Sequence, residues 1–399
     1  MTSGPSALRL EPHVQHYAWG DPAFIPDLLG CPRDGRPWAE AWYGAHPSAP
    51  SVVHTPAGER ALDAYLAMEG ARLLGREVAA HFGTLPYLVK LLAAARPLSI
   101  QVHPDAAQAR AGYDREQAAG IALDAPHRNY RDPQHKPELI VALTPFHALC
   151  GFRDVDDIAE KLADVPELRD LLPMTLRDHE GLTDLLEAWF ELPDTSVRPA
   201  LDRLLRRLSE QRPEPRTPEH WMLAAQAALG PDAPADRGLL FLFLLEMRAL
   251  RPGQALFLDA GVPHAYLQGA GIEVMAASDN VLRGGLTPKH VDAAELLRII
   301  RTDLPAPAIV EADASGRYAT PAAEFELQRL APHDDGGSLL ETVGPEILLS
   351  LESHTEAAIQ LDGERYTLAR GEALFLRPGS RVSVEKASLW RCRVPESEP

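Results

Sequence analysis

The chain has 399 residues, more than a single hydrophobic core usually holds, so we expect two or three packed domains. Its 45% apolar and 24% charged residues are typical of globular proteins, and no low-complexity block predicts disorder. With 39 Lys and Arg against 57 Asp and Glu, the net charge is -18, which disfavours nucleic acid and anionic membranes as partners. A small phosphorylated ligand is compatible with this charge, because it needs only a few cations gathered at one site.

Targeting signals are not apparent. Residues Met1–Leu10 lack the basic and apolar stretches of a secretion signal. The longest apolar run, Leu239–Leu245, is far shorter than the roughly 20 residues that a membrane span needs, and it predicts a buried element. Cys31, Cys150 and Cys392 are far apart, which favours reduced, buried thiols over disulfides or a cysteine metal site. We therefore expect a cytoplasmic protein without a membrane span.

Short apolar runs between Leu85 and Phe152 predict a β-rich region. The predicted strands are Leu98–Val102, Leu139–Leu143 and Ala148–Phe152, because turn-forming Pro and Gly residues separate these runs.

A helical block is predicted from Asp154 to about Ala228, where the apolar period changes. The spacing of one face of an amphipathic helix is seen at Leu201, Leu204, Leu205 and Leu208. Asp154 lies where a helix N-cap is expected. The helices would thus be inserted between two β regions.

A self-similarity follows the helical block. Arg251–Gly261 and Ala369–Gly379 both contain an Ala-Leu-Phe-Leu run between glycine turns, as repeated jelly-roll-like modules would. Val382 takes the position of His264 in the second copy. We expect this second module to keep the fold without a metal site and to serve packing or oligomer contacts.

Two polar residues alternate with apolar ones in the segment Ser99–Asp105. Because successive side chains of a strand point to opposite faces, Gln101 and His103 would share one face. They could line a metal site, or they could lie on a solvent-facing edge strand.

Two further segments add polar groups beside predicted strands. His135-Lys136-Pro137-Glu138 precedes the strand Leu139–Leu143, where it could be functional or an ordinary turn. His264 follows a Gly-Val-Pro turn, where it could face a cavity or be a buried histidine satisfied by hydrogen bonds.

Together Gln101, His103, Glu138 and His264 offer two imidazoles, a carboxylate and an amide oxygen. This set suits Zn²⁺ first, with Mn²⁺, Co²⁺ or Fe²⁺ also compatible. A neutral Gln ligand leaves the metal more electrophilic than a second carboxylate would, which helps it to polarise a substrate oxygen.

The segment Gly271–His290 concentrates charged groups in loop-like sequence. Glu273, Asp279, Arg283 and Lys289 could line a functional site, since loops on a rigid scaffold often carry function. Asp279 could equally be a turn former and Arg283 a surface cation.

Several blocks resemble one enzyme family and occur in its order. They are Trp38–His46, Leu85–Lys90, Leu98–Asp105, His135–Glu138, Gly261–Tyr266, Ser278–Arg283 and Gly285–Lys289. With them the chain resembles the type I phosphomannose isomerases, zinc-dependent members of the cupin superfamily, over nearly its whole length.

The resemblance implies one Zn²⁺ per chain, and it assigns three groups of site residues. The implied zinc ligands are Gln101, His103, Glu138 and His264. The implied catalytic pocket has Arg283 as the active-site arginine, with Lys136, Glu273 and Asp279. The implied substrate and phosphate positions are Lys90, Ser99, Tyr266 and Lys289.

The same resemblance implies a mainly β fold of cupin (jelly-roll β-barrel) modules with an inserted helical domain. Residues 1–152 and 246–325 would form the catalytic cupin, 153–245 the helical insert, and 326–399 a cupin-like domain without metal. It also implies a monomer that reversibly isomerises D-mannose 6-phosphate and D-fructose 6-phosphate through a metal-stabilised cis-enediol, on the route to GDP-mannose.

The sequence leaves the general base and the substrate partly open. Lys136 paired with Glu273 is the favoured base, and Asp279 is the alternative. Competing functions are a non-haem Fe²⁺ oxygenase with a two-His, one-Glu triad, a non-catalytic sugar-binding cupin, and an isomerase of another hexose 6-phosphate.

Overall fold

A computed structural model of the chain describes residues 7–172, 176–332, 340–351 and 356–396, and strands dominate its architecture. The strands, in chain order, are β1 Ala7–Glu11, β2 His13–Gln15, β3 Glu40–Gly44, β4 Val52–Thr55, β5 Gly58–Ala61, β6 Tyr87–Ala94, β7 Ile100–Val102, β8 Glu138–Ala142, β9 Phe146–Phe152, β10 Leu245–Leu250, β11 Ala255–Leu258, β12 His264–Ala276, β13 Leu282–Gly285, β14 Ile309–Val310, β15 Arg317–Tyr318, β16 Glu326–Leu330, β17 Leu340–Glu341, β18 Glu346–Ser350, β19 Ala357–Leu361, β20 Glu364–Leu368, β21 Ala373–Leu376, β22 Arg381–Lys386 and β23 Leu389–Arg393.

Helices are concentrated between β9 and β10. In chain order the helices are α1 Phe24–Leu28, α2 Leu62–Glu69, α3 Ala71–Leu74, α4 Arg76–His81, α5 Ala106–Ala118, α6 Val155–Ala163, α7 Pro166–Arg169, α8 His179–Glu191, α9 Asp194–Gln211, α10 Pro218–Leu229, a 3₁₀ turn Arg237–Leu240, α11 Phe241–Leu244 and α12 Ala293–Ile299. Among the helices that the structure describes, none has both the length and the apolar composition needed to cross a bilayer.

The strands form three sheets. An eleven-stranded sheet, here called the central sheet, follows the order β14-β11-β8-β12-β6-β3-β2, with β7, β9, β10 and β13 attached beside β12. An eight-stranded sheet has the order β15-β16-β23-β18-β21-β1-β4-β5, so three strands from the start of the chain share a sheet with strands from its end, through the pairing of β1 with β21. A four-stranded sheet has the order β17-β22-β19-β20. Its apolar side chains share one buried cluster with side chains of the eight-stranded sheet.

The central and eight-stranded sheets share a core. Leu139 and Val141 of β8 belong to the same buried cluster as Ile347 and Phe375 of the eight-stranded sheet. Because side chains alternate along a strand, the neighbouring Ile140 points the other way, into a second cluster inside the central sheet. Glu138, two residues before Ile140, lies on that inner face.

The predicted strands and helical block are confirmed, with one addition. The three predicted strands correspond to β7, β8 and β9, and the predicted block contains α6 to α10. The region predicted as β-rich also contains α5, which the sequence analysis missed. Asp105 and Gln108 form a capping box at its start, with the Gln108 amide donating to Asp105 Oδ1 at 2.7 Å.

The helical block has the buried face that its spacing predicts. Leu201, Leu204 and Leu208 of α9 are buried, and they join the apolar run at 239–245 in one core. Asp154 lies at the N-cap of α6 as predicted, although its side chain makes no capping hydrogen bond there. All three cysteines are free; Cys150 and Cys392 are buried as expected, and Cys31 is half-buried.

The two repeated segments have the same local structure. Gly253 and Gly371 lead into β11 and β21 with φ of 89° and 85°, and Gly261 and Gly379 follow these strands with φ of 78° each. Positive φ favours glycine, since a Cβ would clash there. The repeat is therefore structural, with matching turns on both sides of matching strands.

The strand registers identify which residues of the second copy correspond to the polar residues of the first. His264 lies opposite Gln101, and Val382 lies opposite Leu340. Glu138 and Glu346 lie opposite the last residues of β11 and β21, respectively. The second copy thus keeps one acid at these positions and replaces two polar residues by apolar ones.

A buried arginine neutralises the acid of the second copy. Arg391 Nε and Nη2 both donate to the Glu346 carboxylate at 2.6 Å, with 5% and 2% of these residues exposed. Among the described residues, the clusters of His, Cys, Asp and Glu that could hold a metal do not include Glu346. The second copy therefore has an ion pair at the position where the first copy has Glu138.

We expect Arg391→Met to destabilise the protein by about 3–5 kcal/mol, because it leaves the Glu346 carboxylate buried without its partner. The double variant Glu346→Leu with Arg391→Met should recover most of that loss, since replacing a whole buried ion pair by apolar groups is often nearly neutral. Denaturant unfolding of the three proteins measures this. Equal stability of the single variant and the wild type would contradict the role of the pair.

Candidate metal centre

Three of the four predicted ligands converge on one point inside the central sheet. The ligand atoms of His103, Glu138 and His264 all lie within 4.8 Å of one another. His103 Nε2 is 3.4 Å from Glu138 Oε1, and His264 Nε2 is 3.6 Å from Glu138 Oε2. All three residues are buried. Two imidazole nitrogens and a carboxylate are a donor set that zinc favours.

Each histidine is held in the tautomer that a metal needs. His103 Nδ1 donates to the Asn280 carbonyl at 2.8 Å, and His264 Nδ1 donates to the Val262 carbonyl at 3.0 Å. The lone pair of each ring is therefore on Nε2, which points toward Glu138. His103 Nε2 is buried and has no hydrogen-bond partner among the described residues.

Burial also favours the neutral imidazole. It lowers the pKa of His103 to about 4, against the opposing attraction of Glu138. A metal binds the unprotonated ring, so an orphaned Nε2 on a neutral, buried histidine fits a metal ligand.

Gln101 lies on the same face as this cluster. Its Cα is opposite that of His264 on one side and that of Arg283 on the other. Residues directly opposite in neighbouring strands point to the same side of a sheet, so all three side chains share one face.

Close packing of backbone holds the two histidine strands together. The Gly261 amide donates to the His103 carbonyl at 2.9 Å. A Cβ at Gly261 would come within 2.4 Å of Arg301 Cγ, and its φ of 78° also favours glycine. The turn before His264 thus depends on this glycine.

A buried network of charges lies beside the cluster. Lys90 Nζ is 3.2 Å from Glu273 Oε2 and 3.7 Å from Glu40 Oε1, while Tyr266 Oη donates to Glu273 Oε1 at 2.7 Å. Burial lowers the pKa of Lys90, but the two carboxylates outweigh it and raise that pKa overall. Burial raises the pKa of Glu273, with the opposing effect of Lys90 only partly compensating. Glu40, which the sequence analysis did not assign, completes this network.

Lys136 lies at the edge of the cluster. Its Nζ is 3.3 Å from Glu138 Oε1, and its side chain is 11% exposed. In the described part of the chain, no hydrogen bond or ion pair joins Lys136 to Glu273, whose partners are Lys90 and Tyr266. The two candidate bases thus have separate environments.

Asp279 has a partner that sequence reasoning missed. His46 Nε2 is 3.4 Å from Asp279 Oδ1, and the Ser48 amide donates to His46 Nδ1 at 3.3 Å. Burial raises the pKa of Asp279, but the hydrogen bond from His46 and nearby cations lower it overall. His46 lies in a block that supported the family resemblance, yet nothing in its neighbourhood along the chain pointed to Asp279.

Three cations, Arg131, Arg283 and Lys289, form a group. Arg283 and Lys289 have lowered pKa values, caused first by burial and then by nearby positive charge, which for both includes Arg131. No ion pair involves any of the three among the residues that the structure describes. Arg131 is exposed and was not assigned from the sequence. Ser99 is half-buried just before β7. Cations gathered in one group without ion pairs favour an anionic ligand, and Arg283 shares its face of the sheet with Gln101.

His135 is part of a separate pair. Its Nε2 is 2.7 Å from Glu324 Oε1, and both side chains are mostly buried. The hydrogen bond that His135 donates to Glu324 raises the pKa of His135 above its ordinary 6.5. Burial raises the pKa of Glu324, but His135 outweighs this and lowers it below its ordinary 4.5.

We expect His135→Gln to lower the free energy of unfolding by up to about 1 kcal/mol, most strongly between about pH 4.5 and 6.5. The raised histidine pKa contributes stability that is full below pH 6.5 and is lost as pH rises through the folded pKa. The lowered Glu324 pKa contributes stability that is present above pH 4.5 and is lost as pH falls through the folded pKa.

Urea unfolding at pH 5.5 and 8.5, at fixed saturating zinc, measures the difference between the two proteins. The exposed His127→Gln is the matched control and should change stability little at either pH. A deficit of His135→Gln that grows toward pH 8.5 would show the sign to be wrong.

Known proteins resemble this chain over most of its length. Residues 7–155 match the family described as phosphomannose isomerase type I, catalytic domain. Mannose-6-phosphate isomerase of Salmonella typhimurium is 39% identical over 377 residues, covering 91% of this chain and 93% of that protein. The enzyme of the same name from Rattus norvegicus is 32% identical over 418 residues, covering 95% of each chain.

Solved structures agree with these sequence matches. A crystal structure of zinc-bound mannose 6-phosphate isomerase has a TM-score of 0.86 at 34% identity, covering 98% of this chain and all of the other. The Salmonella typhimurium enzyme bound to fructose 6-phosphate and zinc has a TM-score of 0.87 at 35% identity with the same coverage. The similarity therefore extends through the sheets, the helical block and the second repeat, and the chain belongs to the type I phosphomannose isomerase family.

Proposed function

We propose that this chain is a zinc-dependent isomerase that interconverts D-mannose 6-phosphate and D-fructose 6-phosphate. The observation that carries the proposal is the orphaned Nε2 of buried His103, which faces Glu138 and His264. Three cations that have no ion pair among the described residues add to it. The matches to mannose-6-phosphate isomerases, one of them bound to fructose 6-phosphate and zinc, support the same activity.

One zinc ion per chain is held by His103, Glu138 and His264, with Gln101 as the fourth ligand. The register of Gln101 against His264 supports this fourth role. When bound, zinc supplies a Lewis acid that stabilises negative charge on a sugar oxygen.

The reaction moves a hydroxyl proton between O2 and O1 and a carbon-bound proton between C2 and C1, through a cis-enediol and without net redox change. Lys136, whose Nζ lies beside Glu138, is the proposed group that takes and returns the carbon-bound proton. Glu273 is the second candidate, because burial raises its pKa, and a higher pKa makes a carboxylate a stronger base. Asp279, oriented by His46, completes the set of acids at the pocket.

The cations recognise the sugar phosphate. Arg283 is a permanently charged donor for the enediol oxygens or the phosphate, and Lys289 and Arg131 add charge on the same side. Ser99 is proposed to donate its hydroxyl to the phosphate. Tyr266 and Lys90 hold the Glu273 carboxylate and line the pocket from within the fold.

The fold proposal follows the family. The proposed catalytic unit is a cupin built mainly from residues 1–152 and 246–325, although β1, β4 and β5 belong to the sheet of the C-terminal strands. Residues 153–245 are the proposed helical insert, and residues 326–399 contribute most of a cupin-like unit without metal. The ion pair of Arg391 with Glu346 supports a metal-free second unit. A monomeric state, the lack of a nucleic-acid partner and a cytoplasmic location stay predictions.

The test is elemental analysis of the purified protein together with an assay that couples fructose 6-phosphate formation to a chromogenic reaction, before and after chelation. About one zinc per chain, with activity lost on chelation and restored by zinc, is the expected result. Zinc without turnover of mannose 6-phosphate would move the function to another hexose 6-phosphate or to sugar binding. Oxygen uptake with bound iron would indicate the oxygenase alternative.

A further inference from the structure

Asn280 is fully buried and uses its whole amide group on one short segment. Its Oδ1 accepts hydrogen bonds from the amides of Arg131 at 2.8 Å and Asp132 at 3.3 Å. Its Nδ2 donates to the carbonyls of Asp132 at 2.7 Å and Gln134 at 2.8 Å. No other side chain type offers two acceptors and two donors in this planar arrangement at this size.

The backbone carbonyl of the same residue orients a metal ligand. It accepts the Nδ1 proton of His103 at 2.8 Å, the hydrogen bond that sets the tautomer and angle of this ring. One residue therefore contacts both a histidine of the metal centre and the segment 131–134.

That segment leads directly to further functional groups. It begins with Arg131, one of the three unpaired cations, and it is followed by Lys136 and Glu138. The Ala276 amide donates to the Pro137 carbonyl at 3.1 Å, so the chain stays attached to β12 up to Glu138.

A second set of hydrogen bonds joins the same two segments, and here residues 278 and 279 are the donors. The Asp132 carboxylate accepts from Ser278 Oγ at 2.9 Å and from the Asp279 amide at 2.8 Å. Residues 131–134 and 278–280 are thus bound to each other in both directions. We call this pair of segments the clasp.

We propose that Asn280 is a positioning residue, and that through the clasp it sets both the zinc affinity of the centre and the affinity for sugar phosphate. His103 donates to the backbone carbonyl of Asn280, so replacement of the Asn280 side chain leaves both atoms of this hydrogen bond in place. Any loss of zinc affinity must then come from movement of the clasp. The sugar-phosphate half of the inference rests on the proposed function, whereas the zinc half does not.

The experiment compares Asn280→Ala and Asn280→Asp with the wild type. Asp retains the acceptor oxygen but replaces the donor nitrogen with a second acceptor oxygen, and it adds a negative charge beside Asp132. Zinc affinity is measured by equilibrium competition with a chromogenic chelator, and fructose 6-phosphate binding by calorimetry on the zinc-loaded proteins. We expect zinc affinity to fall about 10- to 100-fold in both variants, with weaker fructose 6-phosphate binding.

Asn129→Ala is the matched control. Asn129 lies two residues before Arg131, and its side chain donates outward to Asp292 Oδ2 at 2.8 Å. Its replacement should leave zinc affinity within twofold of the wild type. The thermal midpoint of each zinc-free protein is measured in parallel, because a purely structural role would lower that midpoint without changing zinc affinity.

Asp132→Ala keeps the test decisive if the Asn280 variants do not fold. Asp132 is only half-buried, and its loss opens the clasp from the other side. Zinc affinity within twofold of the wild type in the folded clasp variants overturns the proposal. If the wild type lacks isomerase activity but clasp variants still lose zinc, the proposed function fails and the clasp stands. A wild type that binds no zinc overturns both.

Discussion

Replacing Glu138 by Gln is expected to remove zinc from the protein and to reduce kcat/KM at least about a thousandfold, because loss of the metal removes several kcal/mol of charge stabilisation. The Glu138 carboxylate lies between the two histidines, 3.4 Å from one Nε2 and 3.6 Å from the other. Gln has the same shape but no negative charge, and one of its two terminal atoms is a donor. It cannot offset the charge of a dication, and it leaves Lys136 without its ionic partner.

The second repeat offers the matched control. Glu346→Gln is the same substitution at the corresponding register position, beside an arginine instead of histidines. It should lower stability while zinc content and kcat/KM stay near the wild type. Zinc is measured by elemental analysis after gel filtration, and turnover by the coupled assay. A Glu138→Gln protein with one zinc per chain and turnover within tenfold of the wild type would remove Glu138 from the ligand set.

The parts of the site that could be predicted from sequence lie in strands with clear alternation. Gln101 and His103 are separated by one apolar residue, so a period of two places them on one face without knowledge of the fold. Glu138 begins an apolar strand, and His264 begins another after a glycine turn. Strand pairing then brings these positions together.

The parts that could not be predicted depend on pairing between distant segments. Lys90 carries a charge that looks available for a substrate in the sequence, but Glu40 and Glu273 lie on either side of it because β3 and β12 both pair with β6. His46 and Arg131 lie outside regular strands, where no periodicity indicates a direction. Their roles follow from which loops meet at the end of the sheet.

The same limit applies to the sheets as a whole. The repeat predicted a second β module at the end of the chain, yet nothing predicted that β1 would pair with β21, more than three hundred residues away. Long-range pairing of this kind is chosen by the burial of complementary faces, which local sequence does not encode. Boundaries drawn from the sequence therefore divide the chain into consecutive segments. They do not tell which strands share a sheet.

Replacing Arg283 by Gln is expected to lower kcat/KM about 100- to 1,000-fold while zinc content is unchanged, the usual cost of losing one charged donor at a reacting centre. Arg283 lies opposite Gln101 in register, so its side chain shares the face of the metal centre. It has no acidic partner among the described residues, and burial together with Arg131 lowers its pKa. Such a guanidinium is stabilised when an anion binds, whether that anion is the phosphate or the developing enediolate.

The distribution of the loss between KM and kcat distinguishes these two roles. A donor to the phosphate acts in the ground state and the transition state alike, so its loss raises KM, whereas a donor to the enediolate acts only as charge develops, so its loss lowers kcat. Arg283→Lys keeps the charge but loses the planar fork, and it should recover the phosphate role better than the enediolate role. The exposed Arg298→Gln is the control for removing one positive charge. If Arg283→Gln retained kcat/KM within a few-fold of the wild type at normal zinc content, Arg283 would have no role in substrate binding or catalysis. Lys289 and Arg131 would then have to bind the anion without it.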